Sequence, residues 1–91
     1  MTGRLRVHIQ GRVQGVGFRY ATSRQARRMG LSGWVRNAAD GSVEAAFEGD
    51  SETLRTMLDW CRQGPVFAAV TSVDAQWESG APLYDGFHIR R

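Results

Sequence analysis

A break in the hydrophobic pattern near the start of the chain constrains the fold more than any other feature. Residues Leu5 to Gln10 alternate between apolar and polar side chains, which is typical of a strand with one buried face. Three glycines then fall within the seven residues from Gly11 to Gly17, where the strand pattern stops. Helical spacing follows from Phe18 to Met29, and Gly30 suits the left-handed position that ends a helix. The chain therefore begins with a strand, a glycine-rich loop and a helix.

The rest of the chain continues the alternation of strands and helices. In order, it predicts a strand at 31–36, a hairpin loop at 37–42, a strand at 43–47, a helix at 51–63, a strand at 73–77, a loop at 78–86 and a short strand at 87–89. Asp50 or Ser51 can cap the second helix, and Phe87 and Ile89 are expected to point inward. This order is the α+β, ferredoxin-like βαββαβ plan with a short extra C-terminal strand, an antiparallel sheet with both helices on one face.

Chain length and composition narrow the class of protein. The 91 residues suffice for one compact domain, and no apolar run approaches the roughly 20 residues of a membrane span. The N-terminal residues lack the apolar core of a secretory signal. The single cysteine, Cys61, can form no internal disulfide, which agrees with a reducing compartment. We therefore expect a cytoplasmic protein, made of one domain spanning 1–91, with no membrane contact.

The charge of the chain favours anionic ligands without identifying them. The formal net charge is +3, and all twelve basic residues are arginine. Each guanidinium offers a permanent charge and a planar fork of donors, which suits phosphates and carboxylates. A nucleotide composition bias in the genome would also explain this pattern. Charge alone therefore does not separate a nucleic-acid-binding protein from an enzyme that acts on small phosphates.

The loop before the first helix has the residues of a phosphate-binding site. Glycines allow the backbone of 11–17 to curl so that its N–H groups face one ligand, next to the positive end of the helix. Arg19, in the first helical turn, can grip a phosphoryl group through two hydrogen bonds. The Walker motif needs a lysine, and the dinucleotide fingerprint needs a third glycine that is absent. The pattern thus argues against ATP, GTP and NAD as ligands. The alternative that the loop is only a structural turn, with no ligand, remains open.

Topology places Asn37 near the same loop. A strand–helix–strand crossover returns the chain parallel to its first strand, so the second strand ends at the edge where the loop lies. The Asn37 amide offers both a donor and an acceptor, and it could hold a water molecule in line with a bound phosphorus atom. The alternative is that Asn37 only starts the hairpin turn.

Two motifs together resemble those of the acylphosphatase family. They are Gly11-x-Val13-Gln14-Gly15-Val16-x-Phe18-Arg19 and Gly30-Leu31-x-Gly33-Trp34-Val35-x-Asn37. Gly17 stands where many animal members have phenylalanine, and the chain closes with Arg90-Arg91 where many relatives have an aromatic residue.

This resemblance implies a ferredoxin-like enzyme that hydrolyses acyl phosphates without a metal or other cofactor. The family's catalytic arginine corresponds to Arg19 and its water-orienting asparagine to Asn37. Its phosphate-binding loop corresponds to Gln14, Gly15, Val16, Gly17 and Phe18. A small acyl phosphate is the expected partner, with no nucleic acid, and we expect a monomer.

Three other functions compete with this interpretation. Ferredoxin-like sheets with basic surfaces often bind RNA through aromatic residues of the central strands, but Val43 to Glu48 offers acids and alanines there. A phosphate-sensing module without turnover would keep the same loop. Similar domains also begin larger hydrogenase-maturation proteins that process carbamoyl phosphate, whose zinc-binding cysteine pairs this chain lacks.

Several other residues are predicted to have structural roles. His8 and His88 fall at outward strand positions with no cluster of metal ligands around them. Cys61 is expected to be a small apolar core residue on the second helix, and Trp34 and Trp77 are expected to serve in core or edge packing.

Overall fold

The computed structural model describes residues 2–91 as a sheet covered on one face by two helices. Its elements are β1 (Thr2–Arg12), α1 (Phe18–Arg28), β2 (Ser32–Asn37), β3 (Val43–Asp50), α2 (Ser51–Gln63), β4 (Ala69–Glu78) and β5 (Phe87–Ile89). The strands lie in the order β4-β1-β3-β2-β5. The predicted α+β plan, with its short additional strand, is confirmed.

The sheet is mixed, although the prediction was an antiparallel sheet. β1 pairs antiparallel with β3 and β4, and β2 pairs antiparallel with β3, as expected. β5 pairs parallel with β2 at the edge of the sheet. The reason is the connection after β4. Residues 79–86 pass from one edge of the sheet to the other at the end where β1 and β2 begin, which we call the lower end. β5 must therefore run upward beside β2.

Both helices pack against the face of the sheet that carries the odd-numbered residues of β1. The shared core contains Leu5, Val7, Ile9, Val35, Val43, Phe47, Phe18, Ala26, Leu54, Met57, Leu58 and Cys61, all buried. Asp50 caps α2 by accepting hydrogen bonds from the backbone N–H groups of Glu52 and Thr53. Burial raises the pKa of the Cys61 thiol to about 12, as expected of a cysteine that fills a core.

The edge strands depart from the predicted core pattern. Phe87 is buried and stacks on Phe47 with ring centroids 5.5 Å apart, but Ile89 is 44% exposed. Ile89 lies two positions after Phe87 and shares its face of the sheet, as expected, but it is not part of the buried core, because β5 is a three-residue edge strand that ends beyond the core residues. Trp77 lies on the opposite edge strand, β4, which has a neighbouring strand on one side only, and it is 49% exposed.

Trp34 is packed on the open face of the sheet and not in the core. It pairs with Ala46, which in turn pairs with Arg6, so these residues share the face that the helices leave uncovered. The guanidinium carbons of Arg6, Arg36 and Arg90 lie 5.9, 5.5 and 4.8 Å from the Trp34 ring centroid. These cation–π contacts leave the indole only 5% exposed.

Candidate active site

The upper end of the sheet brings together the carboxyl ends of β1 and β2. Both strands run antiparallel to β3, so they are parallel to each other and finish at the same end. The loop 13–17 follows β1, and Asn37 is the last residue of β2. Arg19 and Asn37 both line one concave surface there, which encloses about 670 Å³.

No helix among residues 2–91 has the length and apolarity needed to cross a membrane.

The loop adopts a conformation that glycine makes accessible. Gly15 and Gly17 have φ values of 74° and 78°, in the left-handed region. A Cβ atom at either position would meet nothing within 4 Å, so it is the backbone conformation and not a lack of space that favours glycine. Gly15, Gly17 and Phe18 line the concave surface, whereas Gln14 and Val16 do not.

Backbone donors are available at this end of the sheet. Within residues 2–91, no backbone N–H group from Gln14 to Arg19 donates a hydrogen bond to another protein group. Gly17 caps α1 without a side-chain acceptor, and the first turn of that helix holds no acidic residue. A helix terminus of this kind favours an anion, because its unpaired N–H groups carry partial positive charge.

Arg19 adds a guanidinium without a partner carboxylate. Its side chain is half-buried, and it forms no ion pair with any carboxylate of residues 2–91. By contrast, Arg4, Arg36 and Arg62 each lie within 4 Å of a carboxylate oxygen. The planar fork of Arg19 is therefore free to bind an anion at the concave surface.

Gln14 connects the loop to the hairpin that follows Asn37. Its side-chain Nε2 donates to the carbonyl oxygens of Ala38 and Ser42, at 2.8 and 2.9 Å. Those bonds engage both amide protons of the side chain, so any phosphate contact from Gln14 must come from its backbone N–H. Because Ala38 directly follows Asn37, the Gln14 side chain sets the position of Asn37 relative to the loop.

The hairpin itself is braced by polar contacts. Ala38 N–H donates to the Ser42 carbonyl at 2.9 Å, and the Ser42 backbone N–H donates to Asp40 Oδ1 at 3.0 Å. The Ser42 hydroxyl also donates to Asp40, and this bond, followed by the backbone one, lowers the pKa of that carboxyl. His8 Nε2 lies 2.6 Å from the same hydroxyl, so His8 supports the hairpin from β1.

Four further residues line the surface that sequence reasoning did not assign to the site: Val13, Tyr20, Ile89 and Arg91. Ile89 and Arg91 are two positions apart on an extended segment, so the strand period could have placed them on one face. The interpretation of Ile89 as a core residue concealed this relation. No group of three or more His, Cys, Asp or Glu side chains within residues 2–91 could hold a metal ion.

The fold and this surface define a class of protein, a ferredoxin-like α+β domain with a loop of unpaired backbone donors at one end of its sheet. The family model described as acylphosphatase matches residues 5–89. An acylphosphatase of Thermococcus kodakarensis is 50% identical over 88 residues, covering 94% of this chain and 96% of that protein. The chain belongs to the acylphosphatase family, which confirms the family and the hydrolase class predicted from its motifs.

Solved structures agree with this assignment. The crystal structure of acylphosphatase from Bacillus subtilis superimposes with a TM-score of 0.93 at 34% identity, with all of both chains covered. Full-length HypF has a TM-score of 0.90 at 22% identity, and the match covers 12% of that chain. The second likeness is one of fold alone.

Proposed function

We propose that Arg19, Asn37 and the backbone amides of residues 14–18 carry out acyl phosphate hydrolysis in this acylphosphatase domain. The observation that supports the proposal is the shared concave surface at the upper end of the sheet. It is lined by an unpaired guanidinium and the side chain of Asn37, and the N–H groups of its loop have no acceptor within residues 2–91.

The phosphoryl group binds to the loop and to Arg19. Backbone N–H groups at the start of α1 donate to its oxygens, while the Arg19 fork donates two parallel hydrogen bonds. These donors are fixed before the substrate arrives, because the loop is held by Gln14 and the helix by the core. They stabilise charge on the phosphoryl oxygens in the transition state without reorganising.

The leaving group explains why so few side chains suffice. Hydrolysis of an acyl phosphate expels a carboxylate, whose conjugate acid has a pKa of roughly 4. Such a group leaves with the electron pair of the broken P–O bond and needs no general acid. What remains for the protein is positioning and charge stabilisation, as in phosphoryl transfer generally.

Asn37 positions the attacking water. Its side-chain oxygen accepts a hydrogen bond from the water, which then attacks phosphorus opposite the leaving carboxylate. The new bond forms between the water oxygen and phosphorus, and a phosphoryl oxygen receives the released proton. The neutral amide adds no negative charge that would repel the phosphate.

We further propose that the chain acts as a single monomeric domain, 1–91, in the cytoplasm, with no cofactor and no nucleic-acid partner. On the open sheet face, Trp34 is only 5% exposed beneath its arginines, which leaves no ring face for a base to stack on. Sedimentation tests the monomeric state. A salt-dependent RNA titration tests the absence of a nucleic-acid partner, which tight RNA binding would contradict.

The central experiment measures hydrolysis of benzoyl phosphate with a chelator present. We expect Arg19→Ala to lower kcat/KM by about 10³ or more, and Asn37→Ala by about 10²–10³, with unchanged circular dichroism. Arg55→Ala, which removes the same charge from an exposed site on α2, serves as the matched control and should stay within about twofold of wild type. Near-wild-type turnover by Arg19→Ala, or loss of wild-type activity on chelation, would overturn the proposal.

A further inference from the structure

We infer that Arg91 is a specificity-determining residue that favours acyl phosphates whose acyl group carries an anion of its own. The inference rests on the proposed function, because it takes the phosphoryl group to be held by Arg19 and the loop. It concerns the part of the substrate that Arg19 does not contact.

The position of Arg91 follows from the strand that carries it. Ile89, the last residue of β5, and Arg91 both line the concave surface with Arg19. Arg90, between them, faces the opposite side of the sheet, where its guanidinium lies 4.8 Å from the Trp34 ring centroid. The Arg90 N–H donates to the Val35 carbonyl at 2.8 Å. Side chains of an extended chain alternate between faces, so this arrangement directs Arg91 to the site side.

The strand before Arg91 is fastened to the rest of the fold. The Arg27 guanidinium on α1 donates twice to the Phe87 carbonyl, at 3.1 and 2.8 Å. The Gly33 N–H on β2 donates to the Gly86 carbonyl at 2.9 Å. These bonds hold the start of β5 against α1 and β2, so the backbone that leads to Arg91 is anchored.

The chemistry of the surface indicates what Arg91 would bind. The Arg19 and Arg91 side chains are both cationic, and no Asp or Glu side chain lines the surface. The exposed side chains of Tyr20 and Ile89 supply its apolar area. Arg91 forms no ion pair within residues 2–91. One phosphoryl group is matched by Arg19 and the loop, so a second guanidinium suits a second anion, either a carboxylate or a phosphate on the acyl part. The apolar side chains of the surface contact the carbon skeleton between the two anions of such a substrate.

The test compares substrates that differ in one group. Benzoyl phosphate has an uncharged acyl part, 4-carboxybenzoyl phosphate adds a rigidly placed carboxylate, and 4-phosphonobenzoyl phosphate adds a phosphonate. The readout is the ratio of kcat/KM for each charged substrate to that for benzoyl phosphate. Because Arg91 is exposed to water, we expect Arg91→Gln to lower this ratio by about fivefold, and by more at low ionic strength. The larger of the two decreases identifies the preferred anion.

Arg90→Gln is the matched control. It removes the same charge one position earlier, on the other face of the sheet, and should leave both the ratio and the benzoyl phosphate rate unchanged. An equal fall for all three substrates in Arg91→Gln, or an unchanged ratio, would overturn the inference while leaving the proposed function intact. Failure of wild type to hydrolyse benzoyl phosphate, or full activity in Arg19→Ala, would overturn both.

Discussion

The two ends of the sheet carry the same kind of donors but use them differently. At the lower end, the Glu48 carboxylate accepts hydrogen bonds from Arg4 and from the consecutive N–H groups of Leu83 and Tyr84, each at 2.9 Å. At the upper end, Arg19 and the N–H groups of the loop have no acceptor within residues 2–91. Each end pairs a guanidinium with successive backbone amides, and only the lower end supplies an anion from the protein.

The lower end shows what such donors do to a carboxylate. Burial alone raises the pKa of Glu48, because it disfavours the charged form. Hydrogen bonds from Leu83 N–H, Arg4 and Tyr84 N–H more than offset burial, and the net pKa lies below its ordinary value. The lower end therefore holds the 79–86 loop in place, while equivalent donors at the upper end remain available to a substrate.

The largest expected effect is a loss of activity from a substitution at the upper end that keeps the positive charge there. Arg19→Lys keeps the cation but loses the planar fork, so we expect kcat/KM for benzoyl phosphate to fall by about 10²–10³. The free energy of unfolding in urea should stay within about 0.5 kcal/mol of wild type, because Arg19 makes no ion pair within residues 2–91.

Arg4→Lys is the counterpart at the lower end. It disrupts the contacts with Glu48 and Glu78, so stability should fall while kcat/KM stays within about twofold. Appreciable activity in Arg19→Lys, or comparable activity losses in the two lysine variants, would contradict the contrast between the two ends.

The next largest effect is a loss of stability when the Glu48 carboxylate at the lower end is neutralised. Glu48→Gln keeps the shape of the side chain but not its charge, so we expect the free energy of unfolding to fall by about 2 kcal/mol. The 79–86 loop should exchange its Leu83 and Tyr84 amide protons faster, which hydrogen exchange measures. Unchanged stability together with unchanged exchange at Leu83 would show that the lower end is not held by Glu48.

A smaller effect concerns the connection between the loop and the hairpin. Gln14→Leu removes the bonds to Ala38 and Ser42, so Asn37 should lose its alignment with the bound phosphoryl group. We expect kcat to fall by about tenfold with a smaller change in KM, because the water is misplaced more than phosphate binding is weakened.

Gln10→Leu is the control for this connection. It makes the same substitution on β1 and removes only a contact with the Ser72 hydroxyl, so turnover should not change. A fall in stability without a fall in kcat for Gln14→Leu would assign Gln14 a purely structural role.

The smallest expected effect is the acid sensitivity of the lower end. The pKa of Glu48 is lower in the folded state than its unfolded value of roughly 4.3, so its stabilising contribution is complete above that value. It is lost as the pH falls through the folded pKa. The difference in unfolding free energy between wild type and Glu48→Gln should therefore shrink between pH 7 and pH 3, as urea titrations would measure. A constant difference would contradict the assignment.

Local signals predicted most of the fold. Gly30 adopts the left-handed conformation that its position after α1 suggested, Gly15 and Gly17 have positive φ in the predicted curled loop, and Asp50 caps α2. Element ends differ slightly: α1 stops at Arg28, and β4 begins at Ala69, well before Val73. The early part of β4 escaped prediction because an edge strand buries little and its sequence alternates weakly.

The chain's own pattern determined the order of elements, the curled loop and, through the crossover rule, the shared end of β1 and β2. These features depend on residues close in sequence or on a general rule of chain handedness. Only the tertiary structure decided that Arg4 meets two carboxylates while Arg19 meets none, that Gln14 anchors the hairpin, and that β5 places Ile89 beside Arg91 at the site. Such partners lie far apart along the chain, and strand order, which no local pattern encodes, brings them together.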